Sequence, residues 1–358
     1  LKKACSPYFV ASISVYDDGV LTIEPGVTVK FGSSGVLSVG AQGSGRLVAS
    51  GSVSELITFT SQDSQPMPGS WRGLLFDGGT TTGSKIAYAQ ITAAGQNRDG
   101  ALVGTPELPA HVLTIDHLTI DKVGDGASGI LALGEKSAVA ITNSTFVDVP
   151  AGRYPLSVYA ASFNSIGTGN TYPSGSAIEV MGGTIDASVT WINTGLPLAI
   201  TGDLLIQGTS NPVLSLGAGM SLKFGPNVAV QVGKSAPGKI ALVGNSLTRV
   251  TLASLSGAPG SWAGLQIWDS GRATISYTDV REGGSNNGDS KGNVTMESSA
   301  STAQLSVDHS SFSDSLGWGI YVPCVSASQN AAVITVDTYT TYAGNVLGTR
   351  GPGLSCGN

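Results

Sequence analysis

Charged residues are scarce in this 358-residue chain: Asp, Glu, Lys and Arg together make up 12% of it, and the formal net charge is −6. Exposed helix faces are built largely from Glu, Lys and Arg, so this shortage predicts almost no helix. No clustered basic face can be assembled from 18 Lys and Arg spread along the sequence. Neutralising a phosphate backbone requires such a face, which excludes nucleic acid as a partner.

Long apolar runs are also missing. No stretch reaches the roughly 18 consecutive apolar residues that a membrane-spanning helix needs, so no transmembrane segment is expected. Cysteine is limited to Cys5, Cys324 and Cys356. The last two, both close to the C-terminus, are expected to form a disulfide that pins that end, with Cys5 left over. Such cysteine usage fits an oxidising compartment, so the protein is expected to be exported, bacterial, and extracellular or at the cell surface. The start at Leu1-Lys2-Lys3-Ala4, without methionine, reads as a processed product whose targeting segment is not visible.

What is abundant is glycine, at 50 residues, together with Val, Ile, Leu, Thr and Ser: the composition of short strands separated by frequent bends. A long-range repeat organises them. Leu21-Thr22-Ile23-Glu24-Pro25-Gly26-Val27-Thr28-Val29-Lys30-Phe31-Gly32 returns as Leu214-Ser215-Leu216-Gly217-Ala218-Gly219-Met220-Ser221-Leu222-Lys223-Phe224-Gly225, an offset of 214 − 21 = 193. Gly69-Ser70-Trp71-Arg72-Gly73-Leu74 returns as Gly260-Ser261-Trp262-Ala263-Gly264-Leu265, and Ile115-Asp116-His117 as Val307-Asp308-His309. A shorter rhythm runs inside each copy: one alternating pattern is shared by Ile86–Ile91, Ile115–Ile120 and 141–146, at offsets of 115 − 86 = 29 and 141 − 115 = 26. Such spacings suit one coil of a parallel β-helix, whose apolar face is buried only by stacking on the next coil.

The expected fold is therefore all-β: a right-handed parallel β-helix, or solenoid, made of two tandem copies of one multi-coil repeat. The first copy covers 1–193 and the second 194–358, continuous with the first and ending in a C-terminal flap over the Gly- and Pro-containing stretch 348–356. Roughly 14 coils would fit the length at this period. The alternative, a pair of antiparallel sandwiches, needs more hairpin signals than Asp18-Gly19 and Asn287-Gly288 provide.

On the segments 21–31, Ile57-Thr58-Phe59-Thr60-Ser61 and 69–74, the chain resembles the bacterial right-handed parallel β-helix repeat proteins of exported and cell-surface type. The likeness spans nearly the whole sequence, more strongly in its first half. It implies fold and export and no particular reaction, since the same fold hosts pectate lyases, polygalacturonases and alginate epimerases.

The Asp116-His117 and Asp308-His309 pairs resemble the Ile-Asp-His segment of pectate lyases, but no tryptophan precedes them and no paired aspartates offer calcium a seat. The polygalacturonase segments, a Gly-His-Gly and an Arg-Ile-Lys, do not occur. In the coil alignment His117 and His309 fall in one column with Tyr88, Asn143 and Tyr277, which predicts a polar ladder stacked at a bend. Trp71 and Trp262, in identical Gly-Ser-Trp-x-Gly settings, read as corner-filling residues. Trp268 and Trp318 have no counterparts and are the ligand-surface candidates, joined by Arg281 and Glu282 beside the glycine-rich loop 283–288, where solvated loop charge is the plainer reading. No catalytic residue, metal or cofactor is assigned. The function these features favour is a non-enzymatic, exported surface or adhesion element contacting polysaccharide or another surface protein. The alternative is a carbohydrate-active enzyme, of polysaccharide lyase or glycoside hydrolase type, with its site in a groove of the helix.

Overall fold

The computed structural model describes residues 1–98, 100–132, 134–135, 139–285, 288–297, 303–323 and 333–352. The chain is a parallel β-solenoid of about 11 turns. Its only helical segments among the described residues are three short 3-10 stretches, Lys3–Cys5, Gln96–Arg98 and Ala160–Ser165. No described helix is long and apolar enough to cross a membrane.

Each strand pairs with the strand one coil away, in register. Ile115 lies between Ile86 and Ile141, as the shorter rhythm of the sequence requires, and Thr274 pairs with Ala241, a larger offset of 274 − 241 = 33. Coils of this larger size, lengthened by loops, are why there are fewer turns than the roughly 14 expected at the shorter period. All pairings between the described strands are parallel, and the one antiparallel contact among the described residues is an isolated bridge, Ser52 with Glu55. Parallel strands cannot be joined by tight hairpins, which excludes the sandwich alternative.

The chain divides into two compact units, Leu1–Ile178 and Glu179–Asn358. In the first, one parallel sheet runs from Tyr8–Val10 through Thr28–Phe31, Ile57–Ser61, Ser84–Thr92 and Leu113–Asp121, and a second from Ile13–Val15 through Val36–Val39, Gly73–Phe76, Gly100–Gly104 and Ser128–Ala132. The second unit contains a six-stranded sheet formed by Val189–Trp191, Val213–Gly217, Gly238–Val243, Gly271–Ser276, Gln304–Asp308 and Val333–Val336. It also contains a seven-stranded sheet that includes Ala229–Val232, Gly264–Ile267, Gly292–Met296 and Trp318–Val322.

Alternation decides what is buried. In Gly271–Ser276, Ala273 and Ile275 face inward while Arg272 and Thr274 are exposed, the period-two signature of a strand with one wet face. The interior of each unit is anchored by a tryptophan. Trp71 is fully buried, stacks on Phe31 with ring centroids 4.4 Å apart, and donates its indole N–H to the Thr92 carbonyl at 2.9 Å. Trp262 is fully buried too, stacks on Phe224 at 4.2 Å, and donates to the Arg281 carbonyl at 2.8 Å. The second glycine of each Gly-Ser-Trp-x-Gly segment is required by backbone approach: a Cβ on Gly73, at φ +123°, would lie 2.3 Å from the Ala101 carbonyl oxygen. Gly264, at φ +88°, faces the Gly292 carbonyl in the same way, at 2.4 Å.

One expectation is corrected at the C-terminal end. Gly348–Pro352, read from its glycines as part of an irregular flap, is a strand paired in parallel with Trp318–Val322. The glycines serve packing here: a Cβ on Gly351 would lie 2.3 Å from the Trp318 ring, so only glycine lets this strand lie over the indole. The rest of the expected flap, and the Cys324 and Cys356 pairing, lie outside the described residues. Cys5 is exposed and carries a free thiol.

Truncating either anchoring tryptophan removes a fully buried indole, its stacking partner and a satisfied hydrogen bond. Trp71→Ala and Trp262→Ala are each expected to destabilise the folded chain by about 3–5 kcal/mol, measured by urea unfolding. A loss below about 1 kcal/mol in both would show that these corners are not what holds the interior.

Candidate functional site

The outward rows of the six-stranded sheet carry the clearest concave surface in the second unit. Register places Val213, Lys239, Arg272 and Gln304 in one row, and Ser215, Ala241, Thr274, Ser306 and Thr335 in the next. A groove of about 350 Å³ lies over these rows, with Lys239, Arg272, Gln304, Thr274 and Ser306 in its lining. Arg272 is exposed, Lys239 is half-buried, and both sit one coil apart at the same strand position. Neighbouring strands lie about 4.8 Å apart, so two cations repeat along the groove at the coil spacing and hydroxyls repeat beside them. Individually these residues carry no motif: the row emerges only from the unequal coil lengths that the ladders fix, 272 − 239 = 33 and then 304 − 272 = 32.

The predicted column lies at bends in both units: Tyr277 and His309 directly follow the strands Gly271–Ser276 and Gln304–Asp308 of this sheet, and Tyr88 and His117 lie within Ser84–Thr92 and Leu113–Asp121 of the first unit. Tyr88, His117 and Asn143, and likewise Tyr277 and His309, all adopt φ between 45° and 52°. That left-handed conformation is uncommon outside glycine and is tolerated by Asn and His better than by Tyr. Stacking accompanies it. His117 lies on Tyr88 with centroids 4.3 Å apart, and His309 lies between Tyr277 at 4.7 Å and Tyr339 at 4.6 Å. These distances match the coil spacing, so the rings continue the ladder beyond the backbone.

Each histidine is oriented by the aspartate before it. Asp116 Oδ2 lies 2.8 Å from His117 Nδ1, and Asp308 Oδ1 lies 2.7 Å from His309 Nδ1. An ionised carboxylate only accepts, so Nδ1 is the ring nitrogen that donates to it, and Nε2 is left turned away from the aspartate. The first pair is closed off by its neighbours: Thr142 Oγ1 and Asn143 Nδ2 both donate to Asp116 Oδ1 at 2.8 Å. Burial opposes ionisation of Asp116, yet the hydrogen bonds from Asn143, His117 and Thr142 outweigh it and hold the carboxyl below its ordinary range. The second pair gains another carboxylate instead. Asp337 Oδ2 lies 3.3 Å from His309 Nδ1 and accepts the His309 backbone N–H at 3.1 Å, while Thr340 donates to Oδ1. Sequence reading missed Asp337, although Ile334-Thr335-Val336-Asp337 repeats Leu305-Ser306-Val307-Asp308, because Thr338 stands where the earlier pairs have histidine.

Of the four ligand-surface candidates, Arg281 and Glu282 lie against each other, and each of the others has its own surroundings. Trp318 is half-buried with Gly348 and Gly351 against its ring. Glu282 turns inward, its Oε2 accepting the Ser254 N–H at 2.8 Å and hydroxyl at 2.9 Å, so it braces a neighbouring coil. Arg281 is exposed, 3.6 Å from Glu282, and its carbonyl receives the Trp262 indole. Trp268 is half-buried with the Lys234 ammonium 4.9 Å from its ring centre, a cation–π contact.

Beside Trp268 stands a carboxyl that the sequence did not flag. The Glu297 N–H donates to the Ile267 carbonyl, which sets Glu297 one coil from Trp268. Burial first, and then the neighbouring Asp289 charge, push its carboxyl up to about 7 against the opposing pull of Lys291 and Lys234. Glu297 Oε1, the Trp268 indole N–H and Gln266 Oε1 are buried without a hydrogen-bond partner among the described residues.

No protein-family model and no curated protein sequence matches the chain.

Glu297 makes a pH prediction. Its carboxyl shifts from an ordinary 4.5 to about 7 on folding, so the fold favours the protonated form. That contribution is present below about pH 4.5 and is lost as pH rises through about 7. Glu297→Gln should therefore raise Tm at pH 8 and leave it nearly unchanged at pH 4, read by thermal scans. Equal shifts at both pH values would mean that the carboxyl does not titrate across this window.

Proposed function

We propose that this protein is an exported, non-enzymatic β-helical surface element that holds an extended acidic polysaccharide along the outer face of its six-stranded sheet. The observation that carries this reading is the groove in which Lys239 and Arg272 repeat at the coil spacing beside rows of Ser, Thr and Gln. A chain of sugar carboxylates laid across the coils would meet a cation in each of two successive coils at this edge, and hydroxyls would meet the Ser and Thr positions through direct or water-mediated hydrogen bonds. The charge is local: the chain as a whole is net negative, so it repels anionic polymers except where such a row is presented. We also infer a right-handed coil and two tandem copies. In support, the buried Trp71 and Trp262 share one arrangement and the Asp-His pairs recur at the same kind of bend.

Exposed ion pairs contribute about 0.2–1 kcal/mol each, so affinity would come from repetition along the groove. With Lys239→Ala and Arg272→Ala combined, binding of a polyuronate is expected to weaken by about tenfold, and by less as salt is raised. Biolayer interferometry against a polyuronate and an uncharged glucan checks this. Equal binding of both polymers, or no change in the double variant, would remove the charge row from the account.

The second reading, a carbohydrate-active enzyme, draws on one specific observation: the Asp308-oriented imidazole of His309 stands at the end of the same strands. Arg272 and Ser276, which pairs with Asp308, are the second and last residues of one strand, about 13 Å apart at the usual rise. A lyase or hydrolase assay on acidic polysaccharides separates the two readings. The adhesion reading expects no turnover, whereas turnover abolished by His309→Asn and retained by His117→Asn would establish the enzyme.

A further inference from the structure

We propose that Asp308, His309 and Asp337 form a binding site for one divalent transition-metal ion of the zinc class. The three donor atoms are already gathered: Nδ1 of His309 lies 2.7 Å from Asp308 Oδ1 and 3.3 Å from Asp337 Oδ2, and all three lie within 4.8 Å of one another. Around an ion with ligand bonds of about 2.0–2.1 Å, an octahedral shell has edges of about 2.8–3.0 Å and a tetrahedral shell edges of about 3.3–3.4 Å. The 3.3 Å separation matches a tetrahedral edge and the 2.7 Å separation falls just short of an octahedral one, so small side-chain adjustments would seat an ion.

The donors are held by groups that a metal would not need to displace. The imidazole is fixed between the Tyr277 and Tyr339 rings. Asp337 receives the Thr340 hydroxyl at 2.6 Å on Oδ1, leaving Oδ2 turned to the histidine, and Asp308 receives the Ser276 hydroxyl at 3.0 Å on Oδ2, leaving Oδ1 turned the same way. Hydrogen bonds to the outer oxygen of a ligating carboxylate orient it in this manner. The class of ion follows from the donor set. An imidazole nitrogen with two carboxylates suits zinc and its first-row neighbours, whereas calcium takes six to eight oxygens and magnesium keeps a shell of water. Two anionic ligands offset the dication, and ligation through Nδ1 requires the proton that this nitrogen donates to Asp308 to leave it, for Nε2 or for water. The partial exposure of all three residues leaves coordination positions for water or a ligand group.

The first unit supplies the contrast. Asp116 and His117 repeat the pair, but Thr142 and Asn143 occupy Asp116 Oδ1 and no second carboxylate is present among the described residues. One Asp-His pair is thus completed as a three-donor set and the other is completed as a hydrogen-bond network.

The site does not depend on whether a polysaccharide occupies the groove. The test uses the full chain, stripped with a chelator and with its thiols alkylated so that cysteine cannot contribute, titrated with zinc chloride by calorimetry. The expected result is one zinc ion per chain, with Asp337→Asn and His309→Asn each weakening affinity by about tenfold or more and His117→Asn leaving it unchanged. Asn at 309 suits the bend, since Asn143 adopts the same left-handed conformation, and circular dichroism of the metal-free variants confirms that each is folded. Cobalt substitution gives a second readout, a visible ligand-field spectrum lost in the 309 and 337 variants. No uptake by the wild-type chain, unchanged affinity in both variants, or an equal loss in His117→Asn would overturn the proposal.

Discussion

Stacking at one fixed separation decides which side chains this chain can carry. Parallel in-register pairing places each residue against the residues at the same position one coil before and after, about 4.8 Å away. A side chain is therefore acceptable only if it tolerates neighbours of its own kind. Apolar residues meet this by filling the interior, and flat rings meet it because their stacking distance matches the coil spacing, as in His309 between Tyr277 and Tyr339. Glycine meets it wherever two backbones must nearly touch, as at Gly73.

The same geometry explains why polar groups are arranged as rows. A lone lysine on a sheet face is an isolated charge, but Lys239 and Arg272 in one row become a feature with a direction and a period. Charges brought this close repel each other, and the strand surface offsets that by keeping Arg272 exposed to solvent. At the bend the row is acidic, and the His309 ring nitrogen lies close to both carboxylates. The two ends of these strands thus carry opposite charge, because different positions of one shared register feed them.

Periodic features were legible in the sequence and accidental ones were not. The bend column could be read because Tyr88, His117 and Asn143 share a position in a repeated pattern, and Trp71 and Trp262 because their glycine-flanked settings are identical. Asp337 was legible but overlooked: Ile334-Thr335-Val336-Asp337 repeats the pattern of Leu305-Ser306-Val307-Asp308, yet no histidine follows it, and its role depends on the ladder that sets it one coil beyond Asp308. Glu297 has an ordinary sequence context, and its displaced titration arises from burial and a neighbouring aspartate. The hydrogen bonds that Glu282 makes back to Ser254 could not be read, because loop composition does not reveal which way a side chain turns. The stretch 348–352 was misread for the same reason, its glycines signalling a bend when they accommodate an indole.

The groove over the six-stranded sheet has a further property that follows from how it is made. Its length is counted in whole coils, because each coil contributes one residue to each row. Duplication or deletion of a single coil in the gene would lengthen or shorten the recognition surface by one step while leaving every other contact geometry intact. Selection could therefore tune the reach of this surface as a digital quantity, one rung at a time, with the residue at each rung deciding what that step carries, as Lys239 and Arg272 do between Val213 and Gln304.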